Sequence, residues 1–436
     1  MKSTVDPYWL QFLPAHLRQR LSGRLNLLAI IHNSGWLLFD KLVRVLLVLM
    51  VSVWVARYLG PSQFGELSYI LAYISFFQVV ASLGMDGVVV REIAQDKARA
   101  SEILGTAFIL RLITGIFCWI AAIGSMVVMN GWHDKSVWLV ALAGGTLIFQ
   151  SADTIDLWFQ SQSQSKRTVV AKLIALLFSN GIKVVLIVIE APLIAFAASM
   201  AVDVLMAAVG LIFAYRAFPC IGKWNRTKQQ GQRLIYESWP FMAAGFMNII
   251  QARIEFILIK SMLGVEALGQ YAAALRFMEL FDVAGVVVAM SVFPKLASLP
   301  FEKKNAALRK IYLLMFLIYL ASLPCMVIIW WFMGYAYGYE YAIAKSIFLF
   351  MALRPLLTYL GVTRGMAINI SRKNIYSFYC SLVGAVASFA IGFLLIPNFG
   401  LLGAVASATL SYIIANLLLD LIFYKENIRN IIGCYK

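Results

Sequence analysis

The stretch WLLFDKLVRVLLVLMVSVWVARYLGPSQFG, Trp36–Gly65, decides the fold class. Its apolar run exceeds the roughly 20 residues that a helix needs to cross a hydrocarbon core of about 30 Å. It ends in a Gly-Pro turn and carries Asp40, Lys41 and Arg44 in its first half. A charge near the centre of such a span costs about 2.5–3.5 kcal/mol, so a span that keeps one offers it a partner, water or a ligand.

Outward from this stretch the same length of apolar block recurs. Twelve blocks follow one another, at residues 35–58, 67–90, 103–129, 137–160, 168–189, 192–214, 239–263, 270–293, 309–333, 342–363, 376–396 and 401–424. The chain is 62% hydrophobic and 13% charged, where a soluble protein carries about 25% charged residues. The short alternating segments of a membrane barrel are missing from the sequence. The expectation is an all-α polytopic membrane protein with twelve transmembrane helices.

In a chain this apolar a net charge of +16 marks topology before it marks nucleic acid. Lys and Arg collect in cytoplasmic loops, and the connections here alternate. One set carries Arg91, Lys97 and Arg99; Lys166 and Arg167; Arg216 through Arg233; Lys295 through Lys310; and Arg364, Arg372 and Lys373. The other set has Lys135 as its clear loop cation. The basic set and both termini are therefore expected on the cytoplasmic side. Residues 1–32 read as a basic, partly amphipathic segment at that surface and 426–436 as a cytoplasmic tail. The five cysteines form no framework and are expected to be reduced.

The longest cytoplasmic connection, 215–238, separates six blocks at 33–214 from six at 239–425. LGPSQFG (Leu59–Gly65) follows the first block and LGVEALG (Leu263–Gly269) the seventh, both fitting L-G-x4-G at an offset of 204 residues. Two parallel repeats related by an axis along the membrane normal suggest a transporter whose site lies between the halves.

The charges inside the blocks are the candidate site. Arg44, Arg111, Arg253, Arg276 and Arg354 fall near mid-depth, with Lys41 closer to the cytoplasmic end, where it either snorkels or meets a ligand. Asp40 and Arg44, spaced i, i+4, share a helix face, and so do Arg276 and Glu279 at i, i+3. On span 7, Asn248, Gln251 and Glu255 share one face and Arg253 and Lys260 another. Glu255 and Arg276 reach similar depth, giving either a static ion pair or a site where an ion competes with substrate. Asp203 and Lys183 lie inside spans 6 and 5. Asp86, Asp153 and Asp156, near cytoplasmic ends, read as interfacial or gate residues. The cations outnumber the acids at mid-depth, which suits an anionic ligand, and guanidinium suits phosphate through paired hydrogen bonds.

No phosphate-binding G-x4-G-K-[ST] run is present, the three histidines lie outside the spans, and no catalytic triad or metal-ligand spacing is visible. No cofactor, no metal and no enzymatic activity are expected.

The segments WLLFDKLVRVLL, VARYLGPSQFGELSYILAY, LGMDGVVVREIA, ILGTAFILRL and DLWFQSQSQSKR resemble, in order and spacing, the O-antigen flippases. These are the Wzx-type polysaccharide transporters of the multidrug/oligosaccharidyl-lipid/polysaccharide exporter superfamily. The resemblance is specific over residues 33–170 and mainly topological beyond. It implies two six-helix, MATE-like bundles around a central cavity in the bacterial inner membrane. It implies a substrate, an undecaprenyl-diphosphate-linked oligosaccharide, moved between leaflets with an H⁺ or Na⁺ gradient. Membrane lipids, a polysaccharide polymerase and a chain-length regulator are the partners it implies. Position by position it places substrate contacts at Lys41, Arg44 and Arg276, and coupling or gating at Asp40 and Glu279. Arg111, Arg253 and Arg354 join the former set and Glu255 and Asp86 the latter from the charge reading. A multidrug exporter of the same superfamily and a membrane polysaccharide polymerase are the rival readings.

Overall fold

The structure, a computed structural model, describes residues 25–162, 164, 166–217, 224–297, 299–371 and 374–424. Side chains are described from residue 43 onward, apart from those of residues 294, 295, 297, 301, 302 and 374. Of the expected segment 1–32, residues 1–24 lie outside the described residues, as does the tail 426–436, whereas residues 25–32 belong to the first helix.

All regular structure among the described residues is helical. The N-terminal half holds α1 (Leu25–Ser82), α2 (Asp86–Gln95), α3 (Ala100–Asn130), α4 (Lys135–Ala143), α5 (Thr146–Phe149), α6 (Asp153–Ser161), α7 (Lys166–Val188) and α8 (Leu193–Arg216). The C-terminal half holds α9 (Lys228–Leu263), α10 (Val265–Ala297), α11 (Phe301–Tyr337), α12 (Ala342–Phe348), α13 (Leu353–Ile370), α14 (Asn374–Ile413) and α15 (Leu419–Phe423). Nine runs among the described residues are long and apolar enough to cross a membrane. The first and last of them each join two helices, kinked at Gly60 and at Gly400. With α10, whose charges sit in its middle, this is consistent with twelve spans. Large apolar side chains such as Phe117, Ile120, Phe213, Trp331 and Phe393 are exposed on the outer faces of the helices. Water would penalise so much exposed apolar surface and lipid would not.

The two halves repeat at residue level. Apart from the adjacent pair Leu83 and Gly84, positive φ among the described residues occurs at Gly60, Gly131, Glu190, Gly264, Gly338 and Gly400. These are the six turns on the face that the basic loops assign to the outside. They pair across the halves at offsets of 204, 207 and 210 residues. Spans 4 and 10 are also broken alike, by 3-10 turns at Gln150–Ala152 and Leu349–Ala352.

Both copies of L-G-x4-G meet at this outer face. The first glycine of each adopts the left-handed backbone that turns the chain, φ 71 at Gly60 and 91 at Gly264. The second lets the halves touch. A Cβ on Gly65 would lie 2.0 Å from the Val265 carbonyl oxygen, and one on Gly269 would lie 1.9 Å from that of Pro61. Each turn thus presses its backbone into the other. Around them the Tyr341 hydroxyl donates to the Ala56 carbonyl (2.7 Å), and Lys260 sits 3.5 Å above the Tyr69 ring.

At the opposite face α9 begins at Lys228, eleven residues before the expected span. Its first turns are amphipathic and dock on the N-terminal half. Leu234 joins Met85, Val89, Ile103 and Leu104 in a buried cluster. Arg233 lies 3.1 Å from Glu92 and 3.0 Å from Glu237, which also pairs with Arg91.

Candidate functional site

The second arm of α1 lies along α9 and α10, and a cavity of about 240 Å³ opens between them. The two sides differ in chemistry. The C-terminal half contributes Arg253, Phe256, Arg276 and Glu279, and the α1 arm contributes Ser68, Ala72, Ser75 and Gln78. Arg253 lies ten residues from the Leu263 end of α9 and Arg276 eleven from the Val265 start of α10. At 1.5 Å per residue both are about 15–17 Å below the outer turns, near mid-membrane.

Glu279 holds both guanidiniums, Arg253 at 3.1 Å and Arg276, one turn away on its own helix, at 3.2 Å. Two cations on one carboxylate leave a surplus positive charge. The three side chains remain 27–30% exposed, so that charge faces the cavity. Arg253 also stacks over Phe256, with its guanidinium carbon 5.2 Å from the ring centroid.

The helical spacing on α9 separates faces as expected. Asn248 accepts from the Ser381 hydroxyl (2.8 Å), Gln251 lies against Gly384, and Ser388 donates to Glu255 (3.5 Å). That whole face therefore meets α14. Glu255 is buried there, accepting a 2.6 Å hydrogen bond from the Tyr271 hydroxyl. This corrects the expected approach of Glu255 to Arg276: the residues share depth but not direction, and Glu279 takes the arginine. Arg354 on α13 points inside the C-terminal half, 3.3 Å from Asp282, and beside Tyr271 and Tyr412 lines a small cleft away from the central cavity.

In the N-terminal half Arg111 is 2% exposed and pairs with Asp86 at the start of α2. Neither residue lines the central cavity. Arg44 lines a second cavity, of about 270 Å³, between spans 1, 4, 5 and 6, together with Asp153, Asp156, Lys172 and Asp203. Lys172 bridges Asp153 (2.8 Å) and Asp156 (2.7 Å), so these acids serve an internal salt bridge. Lys183 lies 3.9 Å from Asp203. The Asp40 and Lys41 side chains lie outside the described residues.

The candidates thus divide. Arg253, Arg276 and Glu279 share one cavity between the halves, Arg44 sits in another, and Arg111, Asp86, Glu255 and Arg354 are partnered within their own halves.

Sequence reasoning placed Arg364 in a cytoplasmic loop. The structure corrects this: Arg364 is buried in α13, its Nε 2.9 Å from both carboxylate oxygens of Asp420, which also accepts from the Tyr376 hydroxyl at 2.7 Å. The signal was Asp420 itself, a lone acid in the last apolar block that required a cation. Lys172 was missed for the same reason, with Asp153 and Asp156 as its signal. The uncharged wall of Ser68, Ser75 and Gln78 carried none.

Residues 30–299, well over half of the chain, match the polysaccharide biosynthesis protein family. A relative in Staphylococcus aureus, the capsular polysaccharide biosynthesis protein CapF, is 22% identical over 91% of this chain and 99% of its own length. Among solved structures, an inward-facing multidrug resistance MATE family transporter of the MOP superfamily superposes with a TM-score of 0.69. It is 15% identical and the alignment covers 89% of this chain and 94% of that one. The lipid II flippase MurJ, in an inward closed conformation, gives 0.69 at 13% identity, covering 92% of this chain and 90% of that one. At such identities the structures establish the fold. The family match agrees with the polysaccharide-transporter resemblance in the sequence: the chain belongs to the polysaccharide biosynthesis protein family.

Proposed function

We propose that the chain is a flippase. It moves an undecaprenyl-diphosphate-linked O-antigen, or a similar polysaccharide repeat unit, from the cytoplasmic to the periplasmic leaflet of the bacterial inner membrane. Transport runs by ion-coupled alternating access. The observation that carries this reading is the Arg253–Glu279–Arg276 cluster, at mid-depth, in a cavity between the two halves.

A diphosphate matches this cluster because each guanidinium presents a planar fork of donors to its oxygens. Glu279 neutralises part of the charge while the site is empty and yields the arginines when phosphate arrives. The prenyl tail stays in lipid at the gap between the halves. Lys41 near the cytoplasmic end of span 1 and Arg44 deeper along it meet the diphosphate on its way in, and Asp40 takes part in coupling or gating there. The glycine turns close the outer side until the halves rock apart. An H⁺ or Na⁺ at Glu279, or at the buried Glu255, resets the cycle, with Asp86 acting at the cytoplasmic gate. A polymerase and a chain-length regulator take up the exported unit.

The test is genetic. Deletion of the gene removes surface polysaccharide while lipid-linked repeat units accumulate inside, and wild-type complementation reverses both. Arg276→Glu, at normal expression, does not. Unchanged surface glycan in the deletion, with new sensitivity to cationic drugs, favours a multidrug exporter and rejects this reading.

A further inference from the structure

We infer that the wall opposite the arginines, the face of the second α1 arm bearing Ser68, Ser75 and Gln78, reads the glycan. This rests on the flippase reading and names which side of the cavity recognises which part of the ligand. Ser68, Ala72, Ser75 and Gln78 recur at helical spacing and form one stripe. Ser68 to Gln78 spans about 15 Å of helix, longer than a single sugar ring. No charged residue of this arm lines the cavity, while the facing wall has three charges. A diphosphate needs cations. A sugar, with neutral hydroxyls that both donate and accept, needs neutral groups that do the same.

Ser68 supplies the second observation. It is only 6% exposed, lines the cavity, and its hydroxyl has no hydrogen-bond partner among the described residues. The residue is packed in place while its hydroxyl opens into the cavity, where it can both donate to and accept from a ligand hydroxyl. Ser75 differs: its hydroxyl donates to the Ala72 carbonyl at 2.6 Å, which leaves its lone pairs to accept. Gln78 is exposed at the cytoplasmic end of the stripe, and its backbone carbonyl accepts from the Gln150 side chain at 3.2 Å, which pins the helix there. The stripe thus offers a donor-acceptor, an acceptor and an amide in sequence. The ligand is asymmetric in the same sense as the cavity, charged at the diphosphate and hydroxyl-rich beyond it.

The experiment measures binding to the full-length protein in lipid nanodiscs with two probes, undecaprenyl diphosphate and undecaprenyl diphosphate bearing N-acetylglucosamine. Wild type prefers the sugar-bearing probe. Ser68→Ala lowers affinity for that probe by about three- to tenfold, the loss of one hydrogen bond, and leaves the sugarless probe unaffected. Ser68→Thr, which keeps the hydroxyl, retains the preference, and Arg276→Gln weakens both probes alike. Ser68→Ala acting equally on both probes, or on neither, overturns the assignment, provided its thermal midpoint matches wild type. If wild type binds both probes equally, the glycan wall falls and the flippase reading stands. If it binds neither, both fall.

Discussion

Glu279 is one carboxylate between two guanidiniums, and its removal separates binding from turnover. Glu279→Gln frees Arg253 and Arg276 for phosphate. Affinity for undecaprenyl diphosphate is expected to rise while the transport rate falls, because release then has no competing anion; equilibrium binding and vesicle flipping measure the two. Arg364 and Asp420 make a different case. Both are buried, so removing one strands the other's charge at a cost of about 3–5 kcal/mol. Arg364→Leu should lower the thermal midpoint and the yield of folded protein, and the double change Arg364→Leu with Asp420→Leu should recover much of the loss. Recovery fails if Arg364 has a role beyond that pair. At this scale the identity of the buried charges was legible because hydrophobic context makes them costly. Their partners were not, since Arg276 had Glu255 and Glu279 within reach, and only the rotation of α9 against α14 settles which one it takes.

The outer turns carry the element-scale argument. LGPSQFG and LGVEALG were legible as a repeat, but their reciprocal contact was not, because sequence spacing holds no distance between the halves. A side chain at Gly65 or Gly269 has no room with the turns together. Overpacking costs typically about 1–3 kcal/mol. Gly65→Leu should therefore shift the halves apart at the outer face by roughly tenfold in population. Spin-label distances between spans 2 and 8 read this, and an unchanged distribution would contradict the gate. Asp134 tests a local device on the same face. It caps α4 by accepting the Ser136 amide at 2.7 Å, and the Ser136 hydroxyl and amide hold its carboxyl below the usual aspartate range. A lowered folded-state pKa contributes stability above the ordinary value of about 4, and that contribution is lost as pH falls through the folded value. Asp134→Ala should cost about 1 kcal/mol at neutral pH. Its thermal midpoint should converge on wild type as pH falls below 4.

Over the whole molecule, pseudo-symmetric halves enclose a cavity whose two walls differ. The outer turns recur at offsets of 204–210 residues and the breaks in spans 4 and 10 at about 200, yet the arginines belong to the C-terminal half and the hydroxyls to the N-terminal half. The all-helical, many-span character was legible because span length is set by the bilayer itself. The site was half legible: charged residues stand out in an apolar chain, while Ser68 and Gln78 look like ordinary small polar residues until the cavity surrounds them. The most direct test of the account uses vesicles containing the purified chain and undecaprenyl diphosphate bearing a saccharide. Wild type should carry the glycan across the bilayer, and Arg253→Gln with Arg276→Gln should slow that movement at least tenfold at equal incorporation. Movement by the double variant at the wild-type rate, or no movement by wild type, would contradict it.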